Sequence, residues 1–258
     1  MAEPQPEPQL QFTHDADLVA KGVEVVGKSD AFIDGSDGTN WQSGESEDAE
    51  AQIWRGEDCI HCPSEWGRDA RPFKAKGLVK GVDPEVLVQY LTSIELKWKS
   101  GIEKKPEMRK IEAVDHQTSV WFERRHFPRP IWDREYCFVE RWEPRGEGHF
   151  RLALESIDHP AQPPTIGWNG AQAYVTLRCY ASHDLVADGN GNTEYTLCIE
   201  FNAGGALPGF LVGGFLKDMA KAPERFSEYF ATDDGKATIE RIKAELAEKK
   251  QDESFPKY

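Results

Sequence analysis

Charged and aromatic side chains alternate within one stretch of the chain, FPRPIWDREYCFVERW at residues 127–142. A β-strand directs successive side chains to opposite faces, so one face of this stretch would carry Arg134, Tyr136, Phe138, Glu140 and Trp142. A closed apolar core rejects this set, because a buried unpaired charge is very costly. Two interpretations remain open: a water-exposed rim with an ordinary ion pair between Arg134 and Glu140, or the wall of an internal cavity. In a cavity wall, Arg134 would bind an anionic group, and Glu140 would orient Arg134 or contact a cation.

Two other stretches contain residue types that carry out catalysis or bind metals. Asp158-His159-Pro160 joins a carboxylate to an imidazole, but no recognisable nucleophile motif accompanies it, so we predict a turn and no catalytic residue. Cys59-Ile60-His61-Cys62 has the spacing of half a zinc site, and no second pair with that spacing exists in the sequence. We therefore expect no metal and no cofactor. An enzyme in which Glu140, Asp158 and His159 converge in one pocket is the less favoured alternative.

The composition argues against several classes of protein. The chain has 258 residues and a net charge of −14, which disfavours nucleic acid as a partner because phosphate binding needs a basic face. No apolar run reaches the length of about 18 residues that a membrane-spanning helix needs. The first residues, MAEPQPEPQLQF, lack the features of a signal peptide. Five cysteines, an odd number, predict no disulfide framework and a reducing, cytoplasmic location.

The elements that must position these residues follow from periodicity. Residues 1–12 are rich in Pro, Glu and Gln and are predicted to be a disordered tail. Helices are predicted at 13–27, with Thr13 as N-cap, at 83–98, with Asp83 as cap and Pro84 in the first turn, at 206–230, and in a charged segment from 236. Strands are predicted within 51–62 and 71–81, and near 109–115, 118–126, 134–143, 148–157, 171–181 and 193–201.

This order predicts an α+β fold. A run of meandering strands forms an antiparallel sheet, and its apolar face must be covered by another element. The apolar helix at 206–230 is the natural cover. The space between sheet and helix is then either filled by side chains or left as a cavity. Gly213 and Gly214 inside that helix favour close approach of a ligand or bending of the helix, because glycine weakens a helix.

Four motifs resemble the START family of lipid-transfer domains. They are, in order, FKAKGLVKGVDPEVLVQYLTSIELKWKSGI, PRPIWDREYCFVERW, SIDHP and EFNAGGALPGFLVGGFL. The last is closest to the phosphatidylcholine-transfer branch. The resemblance covers roughly residues 52–230. The resemblance implies a helix-grip fold: a curved antiparallel sheet around a long C-terminal helix, with an internal tunnel for one lipid. It implies one such domain at 13–232, a charged C-terminal helix and tail at 233–258, and no enzymatic activity.

The resemblance also implies a ligand and a set of contacts. The expected ligand is a glycerophospholipid such as phosphatidylcholine, and a sterol or a carotenoid or other isoprenoid is the alternative. Two positions differ from the common family pattern: Lys99 follows Trp98 where Asp is frequent, and Glu140 stands where Arg is frequent. A carrier touches membranes transiently, and Trp132 and Trp168 are candidates for that contact. A regulatory module with a protein partner for the charged ends stays open. The implied ligand-binding residues are Arg134, Tyr136, Phe138, Glu140, Trp142, Asn202, Leu207, Phe210, Leu211 and Phe215.

Overall fold

The computed structural model describes residues 11–44, 52–56, 72–93, 107–126, 132–166, 174–202, 204 and 218–258. Its helices are α1 (Ala16–Gly27), α2 (Ser29–Asp34), α3 (Pro84–Leu91), α4 (Ala222–Ala231) and α5 (Asp233–Lys249). Its strands are β1 (Gln42–Ser43), β2 (Gln52–Arg55), β3 (Phe73–Val79), β4 (Glu107–Ala113), β5 (Thr118–Arg125), β6 (Arg134–Gly146), β7 (His149–Ile157), β8 (Val175–Thr176), β9 (Arg178–Ala187) and β10 (Thr193–Asn202).

The described strands form one curved sheet in the order β1-β2-β3-β10-β9-β7-β6-β5-β4, and the short β8 pairs in parallel with the start of β6. All other pairings are antiparallel. Two tight connections build its centre. Gly148 in the β6–β7 hairpin has a φ of 65°, and Gly189 and Gly191 in the β9–β10 turn each have a φ of 80°, a region that glycine adopts without steric cost.

The two faces of the sheet bury two separate cores. On the face that we call convex, α1 and α2 cover a cluster that includes Val26, Phe32, Val120, Val139 and Tyr180. On the opposite face, which we call concave, α3, α4 and α5 cover a larger cluster. Because strand side chains alternate, even-numbered residues of β6 face the concave side and odd-numbered ones face the convex side.

Helices α3, α4 and α5 gather at one end of the concave face. Phe226 of α4 packs edge-to-face on Tyr90 of α3 and on Tyr195 of β10, with ring centroids 5.9 Å apart in both cases. The thin apolar stripe of α5, Ile239, Ile242 and Leu246, belongs to the same core. The charged C-terminal helix thus shares one core with the sheet, while the division of the chain at residue 232 stays a prediction.

Helix α2 was not predicted, and α3 ends at Leu91 rather than at 98. Three further details differ from the sequence-based predictions. Helix α1 begins at Ala16 and is capped by Asp15, whose carboxylate accepts from two backbone amides, whereas Thr13 bonds to Glu112 of β4. Asp83 precedes α3, but its side chain makes no capping hydrogen bond. Strand β9 continues to Ala187, beyond the predicted end at 181, because its polar residues find partners in the sheet: His183 bonds to Tyr195, and Asp184 pairs with Arg151. None of the helices within the described ranges is long and apolar enough to cross a membrane.

Candidate functional site

The five residues predicted to share one face of β6 do so, and the face is the concave one. Arg134, Tyr136, Phe138, Glu140 and Trp142 are each at most 8% exposed. The rings of Tyr136 and Phe138 stack with centroids 5.2 Å apart. Arg134 and Glu140 are therefore buried rather than exposed on a rim.

Arg134 and Glu140 do not form the ion pair that the sequence left open. The strand is continuous between them and in unbroken register with β5. Six residues of a strand span about 20 Å, which is beyond the combined reach of the two side chains. Arg134 instead donates to the carbonyl oxygens of Trp132 and Gly204, the latter at 3.1 Å. Burial lowers the pKa of its guanidinium, against the opposing effect of nearby Asp133.

Glu140 lies midway along the concave face with an aromatic donor beside it. The indole Nε1 of Trp121, on β5, donates to Glu140 Oε1 at 3.1 Å. Its neighbour across the β6–β7 pairing is Leu154, and Ala181 follows on β9. Glu140 is 2% exposed, so its carboxylate is buried beside an indole N–H and these apolar neighbours.

A second polar group on the concave face involves residues that the sequence reasoning did not select. Glu123 of β5 accepts a hydrogen bond from the Tyr136 hydroxyl at 2.9 Å and forms an ion pair with Arg125. The carboxylate is 3% exposed and the Arg125 side chain 26%. Burial acts to lower the pKa of Arg125, but the Glu123 carboxylate raises it above the ordinary value. Burial raises the pKa of the Tyr136 hydroxyl well above its usual range, and the nearby Glu123 carboxylate adds to this effect.

The signal for this group was present in the sequence of β5. Residues Ser119, Trp121, Glu123 and Arg125 repeat the mixture of aromatic and charged residues seen on β6. Antiparallel pairing sets Trp121 opposite Phe138 and Glu123 opposite Tyr136. Treating both strands as one surface would have identified the group, but their register is unknown until the sheet forms.

The C-terminal tail closes the end of the concave face where Trp142 lies. Phe255 packs on Trp142 with ring centroids 5.9 Å apart, and Tyr258 packs on Phe150 at 5.0 Å. Tyr258 also bonds to Glu85 of α3, and Lys250 pairs with the same carboxylate at 2.6 Å. Trp142 therefore serves as core at the covered end, whereas Arg134 lies at the other end of the strand.

The remaining candidates separate into three groups. Asn202 accepts a hydrogen bond from the Gly204 amide at 2.8 Å and shapes the turn after β10. Asp158 pairs with Arg178 and His159 with Glu112, in a loop at the convex side, and both line a described pocket that does not include Glu140. The others lie outside the described residues: Leu207, Phe210, Leu211, Phe215, Trp168, Cys59 and Cys62. No group of three or more potential metal ligands occurs within the part of the chain that the structure describes.

Solved structures of START domains share this architecture. Human STARD10 matches with a TM-score of 0.59 and 19% identity, over 84% of this chain and 80% of that one. Human StAR-related lipid transfer protein 5 matches with a TM-score of 0.58 and 14% identity, over 87% and 99%. The lipid transfer and protein localization domain of human StarD13 (DLC2) matches with a TM-score of 0.56 and 16% identity, over 78% and 95%.

These structural matches identify the class of fold. The chain adopts the helix-grip fold of START domains, and the α+β prediction is confirmed. No family model matches the sequence, and no curated protein matches it significantly. The fold is thus established by structure at identities below 20%.

Proposed function

We propose that this protein is a cytoplasmic, non-enzymatic carrier that holds one lipid against the concave face of the sheet. The observation that carries the proposal is the composition of that face. Strands β5 and β6 present stacked aromatic rings together with two separate buried polar groups, Glu123–Arg125–Tyr136 and Glu140–Trp121. A long amphipathic molecule needs such a surface: apolar along most of its length, with charge at defined points. Two of the structural neighbours have names that describe lipid transfer, which supports the same proposal.

The most favoured ligand is a glycerophospholipid with a zwitterionic headgroup, such as phosphatidylcholine. Arg125 offers a planar fork of donors for a phosphate, and its side chain keeps partial exposure within a buried strand. Glu123 and the Tyr136 ring lie beside it and suit a quaternary ammonium group. The positive charge of Arg125 and the negative charge of Glu123 thus match the phosphate and the quaternary ammonium of the headgroup.

A sterol is the second candidate ligand, and the position of Glu140 favours it. A sterol presents a single hydroxyl on a rigid apolar body. The carboxylate of Glu140, bonded to the Trp121 indole and flanked by Leu154, would accept a hydrogen bond from that hydroxyl. Replacement of Glu140 by Gln would then weaken sterol binding and leave phospholipid binding unchanged.

The direct test is to identify the lipid that co-purifies with the protein. We expect native mass spectrometry to detect one glycerophospholipid per chain, and the loaded protein to move that lipid between liposomes. Recovery of no stoichiometric lipid, together with no transfer, would refute the proposed function. Recovery of a sterol or of a coloured isoprenoid would support the carrier function and show that the ligand is not a glycerophospholipid.

A matched pair of arginine variants tests the headgroup contact. Arg125→Gln removes the Arg125 charge from the concave face, and phospholipid occupancy is expected to fall about tenfold or more, since hydrogen bonds to charged groups contribute about 1.5–3 kcal/mol. Arg145→Gln is the control, because Arg145 lies at the exposed end of β6 and pairs with Asp30. Equal occupancy in the two variants would exclude Arg125 as the headgroup contact.

We also propose that the end of the sheet where β6 begins contacts membranes transiently. Trp132 is 66% exposed and Ile166 is 62% exposed. Both lie at this end, because Trp132 is two residues before the start of β6 and the neighbour of Ile166, Thr165, donates its amide to Glu135 at 2.7 Å. A net charge of −14 gives no electrostatic attraction to anionic lipid, so contact through a few apolar side chains would be brief.

The membrane contact predicts a selective effect on transfer. In Trp132→Ala/Ile166→Ala, liposome binding and the rate of lipid transfer are expected to fall about tenfold or more, because each large apolar side chain contributes about 1.5–3 kcal/mol on leaving water. Lipid occupancy in solution should stay unchanged. Leu78→Ala serves as the control: Leu78 is 37% exposed but lies near the far end of β3, by α4. Unchanged docking in the double variant would show that another surface meets the membrane.

A further inference from the structure

A separate pocket lies on the convex side of the sheet, behind the strands that form the candidate lipid face. Its volume is about 460 Å³, and its floor and walls come from β5, β6, β7, β8, β9 and the loop at 158–164. Glu135, Tyr136 and Cys137 of β6 all line it, although the Tyr136 hydroxyl bonds to Glu123 on the concave side. One layer of sheet therefore separates this pocket from the concave face.

The pocket is mainly apolar. Phe122, Cys137 and Ile157 form its floor, and three prolines, Pro160, Pro163 and Pro164, belong to its wall. Proline and aromatic surfaces are rigid, so this wall loses little conformational freedom when a ligand binds. Pockets that bind small molecules usually have volumes of about 300–1,000 Å³ and such an apolar lining with a few polar groups.

The charged side chains of the pocket and its histidine already have partners. Arg178 pairs with Asp158 at 2.6 Å. Glu135 accepts from the amide and hydroxyl of Thr165 at 2.7 and 2.8 Å and pairs with Arg124 at 3.3 Å. His159 lies 3.4 Å from the Glu112 carboxylate. A charged ligand would have to break one of these pairs, whereas an uncharged ligand leaves all of them intact.

We propose that this convex pocket binds a small, uncharged, ring-containing molecule. An apolar cavity of about 150 Å³ holds one benzene, so about 460 Å³ has room for a molecule of roughly three times that size. The rings would pack between Phe122 and the prolines, and a hydroxyl or carbonyl on the ligand would reach Gln162 or Thr176 at the edge. This site is additional to the proposed lipid site and does not depend on it.

The test uses 2-naphthol, an uncharged two-ring alcohol, and methyl NMR of the full chain as purified. Ile157 reports on the convex pocket, and Ile199 reports on the concave core. We expect a saturable shift of the Ile157 methyl signals with the Ile199 signals unchanged. No saturable shift at Ile157, or shifts of Ile199 at the same naphthol concentrations, would overturn the proposal.

Two variants locate the binding. Cys137→Phe fills the floor of the pocket and is expected to weaken 2-naphthol binding about tenfold or more. Because a larger side chain at a buried position can prevent folding, Pro163→Trp gives a second test at an exposed edge of the pocket. Its matched control is Ala161→Trp, in the same loop and also exposed, which does not line the pocket. If Pro163→Trp and Ala161→Trp bind 2-naphthol equally well, the pocket is not the site.

Discussion

Glu123→Gln is expected to lower the free energy of unfolding by about 2–3 kcal/mol. Removal of one partner of a fully buried ion pair costs about 3–5 kcal/mol. The Glu123 carboxylate is 3% exposed, but the Arg125 side chain is 26% exposed, so solvent screens part of the loss. The substitution keeps the shape of the side chain and removes the charge that Arg125 and the Tyr136 hydroxyl both contact. Urea-induced unfolding, followed by tryptophan fluorescence, measures the change.

A double-mutant cycle separates this pair from a general effect on the core. In the Glu123→Gln background, Arg125→Gln should cost much less than it does alone, because the ion pair is already lost. Additive costs would mean that the two side chains stabilise the sheet independently. Glu123 and Arg125 also belong to the proposed headgroup contact. Lipid occupancy should therefore be measured on the same variants as stability, so that a loss of headgroup binding can be distinguished from a loss of the fold.

Gly235→Ala is expected to destabilise the protein by about 3 kcal/mol, near the upper end of the usual cost of overpacking. Gly235 lies in the first turn of α5, where its amide donates to the N-cap Thr232 at 3.0 Å. A Cβ atom there would lie 2.7 Å from the Phe230 Cα and closer still to the carbonyl oxygen of Tyr229. Both atoms are backbone and cannot rotate away, so α5 must shift relative to α4. Thermal unfolding monitored by circular dichroism gives the size of the effect.

Gly27→Ala provides the matched control for the same chemical change. Gly27 is the last residue of α1, and no atom lies within 4 Å of the position that its Cβ would occupy. Because alanine favours a helix over glycine by about 1 kcal/mol, this variant should be as stable as the parent or slightly more stable. Equal destabilisation of the two variants would show that the contact between α4 and α5 is not the cause. A loss confined to Gly235→Ala would confirm that α5 must dock closely on α4.

The order and type of the described elements were largely readable from the sequence. Local patterns carry that information: the alternation on β6, the Pro84 start of α3 and the glycine-containing turns each act over a few residues. The same alternation correctly placed Arg134, Tyr136, Phe138, Glu140 and Trp142 on one face, because the period of a strand does not depend on its neighbours. The four motifs that resemble START domains predicted the complete fold, and the structural matches show that the chain has it.

Partners across strands were decided only by the tertiary structure. The sequence suggested Arg134 and Glu140 as a pair, but both lie on one extended strand about 20 Å apart. The pair that forms is Glu123 with Arg125, and its third member, Tyr136, comes from the adjacent strand in a register that packing of the whole sheet determines. The convex pocket likewise requires β5, β6, β7 and a loop to meet. The sequence by itself determined which residues share a face, since that is a local property of the backbone. Only the folded sheet decided which charges meet and where space remains, since those depend on residues far apart in the chain.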